Sequence, residues 1–529
     1  MLDNKKLDSS VSPSVARSIG LKRKASAGRV LAACALSVFL AACAVGPDFE
    51  KPAAPQVKEL TKEPMPAQTV SVDAPTGDAQ RFLAGEPVQE RWWLLYNSAE
   101  LNRRVDAALA NNPTITSAQA ALKQAKENVA AAAGGRYPSI GINNLGATTQ
   151  KNSAAEFGPG ESRLVSPNSY TLYNATVDVS YTLDLFGGIE RTIESQKALE
   201  DVQRADLAGT YLTLIANVVT ASFEEAALRD QIAMLEEIIA AFERTTGLIE
   251  QQEQFGAKSR LDTLTARSQL EEQRSILPPL RLRLEQTENL LASLLGRFPD
   301  QAGLEPVRLD HLTLPRDIPL SVPSTIAAQR PDIQAAEATL HAATANVGVA
   351  VANMYPKITL SGSIGSQALQ MGELFTPSMG LWSIGAGLAQ PIFQGGTLRA
   401  QRRAADAAMN QAAADYQVTV LNAFRNVADS LRALVLDAQS LQAQATFERA
   451  ASGYYDLVDM QYRAGAVNIL NVLDADRARR RARIQVIIAR SQRLKDTAAL
   501  FQALGGGWQE FVAEADQKTK TDTGPLTPP

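Results

Sequence analysis

The chain has few of the side chains on which metal and nucleophilic chemistry usually depend. Its 529 residues include two histidines and two cysteines, whereas a His-based triad or a His/Cys metal site needs several such groups to converge. Acidic and basic side chains almost balance, with 56 Asp and Glu against 52 Lys and Arg. No strong field of one sign points to nucleic acid as a partner. The composition disfavours an enzyme, a resident metal or cofactor, and a nucleic-acid-binding protein.

Both cysteines lie close to the beginning of the chain. A basic stretch ending at Arg29 precedes an apolar run over residues 30–42, which is too short to span a bilayer and is typical of a signal peptide. The run ends Leu40-Ala41-Ala42-Cys43, which resembles the bacterial lipobox, whereas almost no apolar run precedes Cys34. We therefore expect residues 1–42 to be removed and Cys43 to carry a covalent lipid. An ordinary signal peptide with an incidental cysteine is the alternative. Ala44, in place of an Asp, favours the outer membrane.

The same landmarks occur twice along the chain, in the same order. Asn112-Pro113 and Arg330-Pro331 are each followed, at the same separation, by a Tyr-Pro pair. A Phe and a Gly-Gly pair, a Gly-Ala pair and a Leu-Gly pair then recur in both halves. The repetition predicts an internal duplication, with halves at residues 91–299 and 326–508 and a connector at 300–325. Each half reads as helix, strand, strand, long helix, helix.

Two helices of unusual length are predicted, over residues 188–252 and 396–462. The apolar positions of the first keep an alternating four-three spacing, which is typical of a coiled-coil seam, and only Glu225 interrupts it. At ~1.5 Å per residue, each helix would be on the order of 100 Å long. Shorter helices at 113–136, 259–296, 331–355 and 468–504 would stack end to end beside the long ones. The seam consists of Leu207, Tyr211, Leu214, Val218, Ala221, Leu228, Ile232, Leu235, Ile239 and Phe242.

Four segments alternate apolar and polar residues, which predicts strands with one apolar and one wet face. The clearest runs from Tyr173 to Leu185, two others contain Ile358 and Trp382, and a weaker one starts at Ile140. A half-exposed sheet in a soluble protein is the commoner explanation of such a pattern. Four strands are too few to close a barrel, but three copies would supply ~12, within the range of outer-membrane barrels. The polar face, including Asp178 and Asp184, would then line an aqueous lumen.

These features, taken in order, resemble one family over almost the whole mature chain. The chain resembles outer-membrane factors of the TolC/OprM type, in the lipoprotein NodT-like branch of efflux systems of the resistance-nodulation-division (RND) class. The matching segments are 43–49 (CAVGPDF), Trp92-Trp93, 183–187 (LDLFG), 330–337 (RPDIQAAE), 391–396 (PIFQGG), 423–429 (AFRNVAD), 462–465 (YRAG), 472–475 (VLDA) and 503–508 (ALGGGW).

The resemblance implies an α+β membrane protein: a homotrimeric β-barrel of ~12 strands, four per protomer, continuous with a long α-helical barrel. It implies a passive exit duct, lipid-anchored in the outer membrane and extending into the periplasm. Its partners would be a periplasmic adaptor protein and an inner-membrane RND pump. Two alternatives stay open: the outer-membrane component of a type I secretion system, and a lipid-anchored periplasmic coiled-coil scaffold. The sequence does not identify the cargo.

The resemblance also places the periplasmic tip at the hairpins that join the paired helices. The expected adaptor-docking residues are Phe255, Gly256, Ala257, Ser259, Tyr462, Ala464, Gly465 and Ala466. Asp474 stands where the family often has a pore-constricting acid, with Asp262 as its expected first-half counterpart and Arg463 as a compensating cation. The chain departs from the family pattern at Asn471 and Val467, which puts an ionic lock in doubt. The alternative is that both acids cap helices.

Two terminal segments are expected to have little structure. Residues 43–90 are rich in proline and predict an extended tether from the lipid. Residues 509–529 are polar and predict a disordered tail.

Overall fold

The computed structural model describes residues 44–53, 60–152, 168–301, 305–320 and 328–522. The predicted signal peptide and Cys43 therefore lie outside the described residues. The chain divides into two compact units. The first contains residues 131–194 and 344–406 together with the segment that ends at Asp48, and the second contains the remaining described residues.

Eight α-helices account for most of the described chain. They are α1 (Ala99–Asn111), α2 (Pro113–Gly134), α3 (Gly188–Gln254), α4 (Arg260–Leu294), α5 (Pro331–Ala352), α6 (Thr397–Arg463), α7 (Ile469–Ala503) and α8 (Gln509–Asp522). The predicted helices are confirmed to within a few residues at each end. Within the described ranges, no helix has both the length and the low polarity that crossing a membrane would require.

The helices of the two halves match in length. Helices α3 and α6 both have 67 residues, α4 and α7 both have 35, and α2 and α5 both have 22. The residues that begin these helices also correspond between the two halves. Pro113 and Pro331 stand at the first helical positions, where a missing N–H leaves no bond unmade. Asn112 accepts a hydrogen bond from the Thr114 N–H at 2.8 Å, which caps α2.

The first unit contains a four-stranded antiparallel sheet, as predicted. Its strands are β2 (Ser139–Asn152), β3 (Asn168–Leu183), β5 (Lys357–Ala368) and β6 (Gly380–Ala389), hydrogen-bonded in the order β2-β3-β5-β6. Among the described residues, strands β2 and β6 each have a neighbour on one side only. The sheet therefore ends in two edges that belong to different strands.

The core of the second unit lies along α3. All ten residues of the predicted seam are buried. A cluster of aromatic side chains packs around the same helix, and its largest members are Trp92, Trp93, Tyr96, Phe223 and Phe501. The prediction that these ten positions form a buried face of the helix is confirmed.

Glu225, the one polar interruption of the seam, is buried with its partners. Its Oε2 accepts a hydrogen bond from Arg104 Nη1 at 2.6 Å, and both side chains are less than 5 % exposed. Arg229 donates to the other oxygen at 3.0 and 3.1 Å. Arg104 also donates to Ser222 Oγ and to the Glu305 carbonyl, each at 3.1 Å. The charge that breaks the apolar pattern is therefore paired, as a buried charge must be.

The described part of the predicted tether is packed against the protein. Strand β1 (Arg81–Ala84) pairs in parallel with β4 (Asp317–Leu320), which belongs to the connector. Gln80 is fully buried and donates to the Pro315 carbonyl at 3.1 Å. The expectation of an extended tether is wrong for these residues, because strand pairing and burial hold them to the second unit.

The predicted disordered tail is also wrong for residues 509–522, which form α8. Val512 and Ala515 are buried in the main core. Phe511 stacks on Trp93 and on Tyr211, with ring centroids 6.3 and 5.3 Å apart. One apolar turn in a polar helix is enough to fix it against the core.

Candidate functional site

The sheet of the first unit has two chemically different faces. Cross-strand neighbours carry apolar side chains on one face, as in the register Val177, Ile364, Trp382. This face is open to the surroundings: Ile140, Trp382 and Ile384 are 73 %, 74 % and 83 % exposed. A contiguous exposed apolar surface of this kind marks an interaction with lipid or protein.

The opposite face carries hydroxyl and amide groups that bond to each other across the strands. Ser363 Oγ and Ser383 Oγ lie 2.8 Å apart, and Gln367 Nε2 donates to Asn174 Oδ1 at 2.6 Å. Asp178 stands on this face, opposite Ser363. The alternation predicted from the sequence is confirmed in register. That this face lines a lumen stays a prediction.

Asp184 lies just beyond the end of β3. Its Oδ2 accepts hydrogen bonds from the N–H groups of Ile189 and Glu190 at 2.9 and 3.0 Å. The carboxylate therefore satisfies the unpaired donors at the beginning of α3, where the helix dipole also favours a negative charge. Asp184 has this structural role whether or not it faces solvent in a lumen.

The two helical hairpins reverse through equivalent turns. Gly256 and Gly465 have φ of 73° and 76°, a conformation that L side chains rarely adopt. The next residue donates its N–H to a carbonyl five positions back at 2.8 Å in both hairpins, Ala257 to Gln252 and Ala466 to Gln461. This hydrogen-bond pattern is typical of a helix that ends at a glycine in the left-handed conformation. The conformation explains why both predicted tips contain a glycine at this position.

The turn residues are accessible to a partner. Phe255 is 88 % exposed and Tyr462 is 40 % exposed. Ala257, Ala464 and Ala466 are also exposed, and no atom lies within 4 Å of a Cβ built on either glycine. That these residues dock an adaptor stays a prediction, and their exposure is compatible with it.

Asp262 completes a capping box with Ser259. Its Oδ2 accepts from the Ser259 backbone N–H at 3.0 Å and from Ser259 Oγ at 2.9 Å. These two hydrogen bonds, with a smaller contribution from Lys258, lower the pKa of the Asp262 carboxyl. The alternative interpretation of this acid as a helix cap is therefore supported.

The expected equivalence of Asp262 and Asp474 is wrong. The N-caps of α4 and α7 are Ser259 and Asn468. Three residues after them stand Asp262 and Asn471, so Asn471 is the counterpart of Asp262, whereas Asp474 lies one helical turn further on. The prediction matched Asp262 with Asp474, but only the first of the two hairpins has an acid at the third position after its N-cap.

The predicted gate residues do not pair with each other within the chain. Asp474 is about half exposed and lies 3.2 Å from Arg477 of its own helix. Arg463 lies 2.7 Å from Asp459. Arg477 also lies 4.0 Å from Glu272 on α4. The acid at position 474 is thus accessible, and its gate role stays a prediction.

Sequence reasoning missed a buried acid two residues beyond Asp474. Asp476 accepts hydrogen bonds from Arg479 at 2.6 Å and Arg480 at 2.8 Å. Arg479 stacks over the ring of Tyr455 on α6, 3.8 Å from its centroid, and Arg480 reaches Glu237 on α3 at 3.3 Å. One carboxylate therefore organises contacts from α7 to two other helices. The run of arginines at 477–483 was the available signal.

Near the tips, α7 packs with α6 and also with the hairpin that α3 and α4 form. Val458 of α6 packs with Val472 and Ala475 of α7. Leu473 of α7 shares a cluster with Ile238 of α3, and α3 is tied to α4 by three ion pairs, each below 2.8 Å. Among the described residues, no hydrogen bond or ion pair joins α4 to α6.

Comparisons with known proteins agree on one family. The profile of the family described as outer membrane efflux protein matches residues 105–297 and again residues 322–506. An antibiotic efflux pump outer membrane protein, ArpC of Pseudomonas putida, is 29 % identical over 93 % of this chain and 99 % of its own. A pyoverdine export outer membrane protein, OpmQ of the same species, is 31 % identical over 79 % of this chain and 88 % of its own.

Solved structures give the same result. The outer-membrane channel OprN superimposes with a TM-score of 0.77 at 26 % identity, covering 88 % of this chain and all of OprN. The open state of the MtrE outer membrane channel of Neisseria gonorrhoeae superimposes with a TM-score of 0.72 at 25 % identity, covering 88 % of this chain and 99 % of MtrE.

Proposed function

The chain belongs to the outer membrane efflux protein family, and from this premise we propose that three copies close into a lipid-anchored duct. It is a component of an efflux pump in the outer membrane of a Gram-negative bacterium, and it provides an exit path rather than catalysing a reaction. The relatives' names include export of antibiotics, toluene and pyoverdine. The cargo of this chain is organic small solutes of this kind.

The main support for the proposed trimer is that the sheet has two open edges formed by different strands. Within the part of the chain that the structure describes, strands β2 and β6 each leave one side unpaired, and an unpaired strand edge is not tolerated in lipid. Because the two edges differ, identical copies join head to tail, which closes into a ring. Three copies of four strands supply ~12 strands, within the range of outer-membrane barrels.

The helices of the second unit have the same property. Among the described residues, no hydrogen bond or ion pair joins α4 to α6, so near the tips these two unlike helices are left to meet neighbouring copies. A head-to-tail ring of identical copies satisfies this pair of unlike ends as well. One family profile matches the chain twice, and the helices of the two halves have equal lengths, which supports an internal duplication. Three chains would then supply six similar helical pairs.

The segment after Cys43 supports the lipid anchor. Val45 donates its N–H to the Phe186 carbonyl at 3.2 Å, next to the end of β3. Arg191 is 5 % exposed and donates to Asp48 Oδ1 at 2.6 Å. Residues 44–48 are therefore held at the end of the sheet rather than hanging free, and a lipid on Cys43 would enter the membrane beside the barrel.

In the proposed assembly the duct works with a periplasmic adaptor and an inner-membrane pump of the RND class. The exposed tips at Phe255–Ser259 and Tyr462–Ala466 dock the adaptor, and Asp474 forms an acidic ring that restricts the periplasmic end. The duct is passive, and the pump supplies the energy.

Two neighbouring substitutions on β6 test the assignment of the sheet faces. Ile384→Lys places a charge on the apolar face, where a lipid-facing cation costs roughly 2–4 kcal/mol at the membrane midplane. Ser383→Lys places the same charge on the polar face. We expect Ile384→Lys to lower the yield of heat-modifiable trimer in outer membranes, and Ser383→Lys to assemble and to change conductance in planar bilayers.

The outcome separates the duct from a periplasmic scaffold. Ile384 is 83 % exposed in the single chain, so a scaffold in water would tolerate either lysine. Equal assembly of both variants, or a purified protein that does not conduct ions, would refute the proposed duct.

A further inference from the structure

The connection between β5 and β6 lies at the end of the sheet that the helices do not reach. Strand β5 follows α5 and strand β6 leads into α6, so the chain between the two strands turns at the opposite end. Residues 369–379, which we call the β5–β6 loop, contain two short 3-10 helices, Met371–Glu373 and Pro377–Met379. In the proposed duct this loop is at the extracellular end of the sheet.

The β5–β6 loop exposes large apolar side chains. Leu369, Met371 and Phe375 are 62 %, 68 % and 77 % exposed. Glu373 is the one charged residue in the sequence of the loop. Several large apolar groups exposed together mark a surface that contacts lipid or protein rather than water.

The loop has an ordered turn of its own. Leu374 is only 3 % exposed. Thr376 donates to the Glu373 carbonyl from its backbone N–H at 2.9 Å and from its Oγ1 at 2.8 Å. The N–H of Met379 donates to the Thr376 carbonyl at 3.0 Å. The exposed apolar side chains therefore project from a hydrogen-bonded turn with a buried side chain beneath it.

Two adjacent residues at the end of β5 show which face of the sheet is covered there. Because side chains alternate along a strand, Ala368 stands on the apolar face with Ile364, and Gln367 stands on the polar face. Ala368 is 3 % exposed, although Ile364 is 66 % exposed. Gln367 is exposed. At this end of the sheet the apolar face is therefore covered and the polar face is open.

The loop contributes this cover. The pairing of β5 with β6 ends at Ser366 and Gly380, so β6 does not reach Ala368. The helix Pro377–Met379 of the loop contacts β5 at this end. Ala368 thus has Tyr173 of β3 in register on one side and the loop on the other. The loop follows the apolar side of the sheet.

We propose that the β5–β6 loop is a membrane anchor, whose Leu369, Met371 and Phe375 enter the acyl region of the outer leaflet of the outer membrane. This inference rests on the proposed duct, in which the apolar face of the sheet contacts lipid. Strand β6 has ten residues, about the length that crosses the hydrocarbon layer as a tilted strand. Its loop end therefore lies at the surface of the membrane.

Lipid is the occupant because the loop continues a surface that already faces lipid in the proposed duct. Trp382, near the loop end of β6, is 74 % exposed on the apolar face, and tryptophan is enriched at membrane interfaces. A loop that closed the mouth of the duct against neighbouring copies would lean over the polar face, where Gln367 is exposed. An apolar group at the membrane surface gains by burial among the acyl chains.

Nitroxide labels on single cysteines test where the loop lies. Met371→Cys and Phe375→Cys place the label on the loop of the full-length protein, reconstituted in vesicles of phosphatidylethanolamine and phosphatidylglycerol. Oxygen concentrates among the acyl chains, whereas a neutral nickel chelate stays in water, so the relaxation of each label by these two reagents reports its surroundings. The natural cysteines, Cys34 and Cys43, both precede the first described residue, and the parent chain treated with the label measures any background.

Two neighbouring positions on β6 calibrate the measurement. Ile384→Cys places the label on the apolar face, and Ser383→Cys places it on the polar face. We expect the labels at 371 and 375 to behave as the label at 384 does. Their ratio of oxygen to nickel accessibility should be several-fold higher than that of the label at 383.

Conductance in planar bilayers gives a second, independent readout. The double variant Met371→Ser with Phe375→Ser should conduct as the parent chain does, because an anchor on the apolar side does not obstruct the mouth of the duct. A several-fold rise in conductance would show that the loop constricts the mouth, and it would overturn the anchor.

The possible failures are distinguishable. Loop labels that respond to the nickel chelate as the label at 383 does would place the loop in water, and loop labels that neither reagent reaches would place it beneath protein. Either result overturns the anchor and leaves the proposed duct intact, provided that the labels at 383 and 384 differ. Equal behaviour of those two labels overturns the assignment of the sheet faces, and with it the proposed duct itself.

Discussion

Removing the carboxylate of Glu225 should destabilise the protein far more than removing the whole ion pair. In Glu225→Leu, the Arg104 guanidinium stays buried without its charged partner, 2.6 Å from where the carboxylate was. Removing one member of a buried pair typically costs about 3–5 kcal/mol, whereas replacing both members by apolar groups is often nearly neutral. The double variant Glu225→Leu with Arg104→Met should therefore recover most of the loss.

Guanidinium unfolding in detergent, followed by far-ultraviolet circular dichroism, measures this difference. A loss of about 4 kcal/mol corresponds to a midpoint lowered by roughly 0.7–2 M, given guanidinium slopes of about 2–6 kcal/mol per M. Arg229→Leu is the matched control, because Arg229 contacts the same carboxylate but is 41 % exposed, and a half-exposed pair contributes about 1 kcal/mol or less. A double variant as unstable as Glu225→Leu, or a single variant like the parent, would refute the reasoning.

Three further predictions concern the tips and the helix layer. Gly465→Val should abolish transport while the trimer still assembles, because φ of 76° is strained for a β-branched residue. Drug susceptibility measures transport and gel mobility measures assembly. Gly453→Ala is the control. Asp474→Ala should raise conductance and leakage of small antibiotics, whereas Asp456→Ala should not, and unchanged permeability would remove Asp474 from the gate. Burial, a hydrogen bond to Asp496 and the charge of Asp496 raise the pKa of Asp437 to about 8. Because the folded carboxyl keeps a proton that the unfolded one releases, stability falls as pH rises from about 4 to about 8; Asp437→Asn should flatten that fall in melting temperature, and an unchanged slope would contradict it.

The long elements were predictable because their signals are repeated many times. The ten seam positions of α3 fit the period of a helix and not that of a strand, whereas the strict alternation along β3 fits a strand and not a helix. Prolines and glycines mark the ends of these elements. The duplication provided a second, independent reading of most elements. This is why the bounds of α3 and α6, and the alternation of polar and apolar residues along the strands, agree closely with the prediction.

The errors lie where distant residues decide the structure. Residues 81–84 are a strand only because residues 317–320 lie beside them, and no local pattern announces a parallel pair so far apart in sequence. Helix α8 depends on three apolar side chains in a polar segment. At the tips, Asp262 caps its helix because it stands three residues after the N-cap, a position that Asn471 rather than Asp474 holds in the other hairpin.

The equal lengths of the paired helices restrict how the gene can change. Deleting one residue inside α3 draws everything beyond it back by ~1.5 Å and turns it by ~100°, so every later seam position would face the wrong neighbour. The same deletion in α6 would be needed to keep the two hairpins level, and it would still leave both seams misaligned. Insertions and deletions should therefore be rare within these helices in natural variants and should accumulate in the connections between elements.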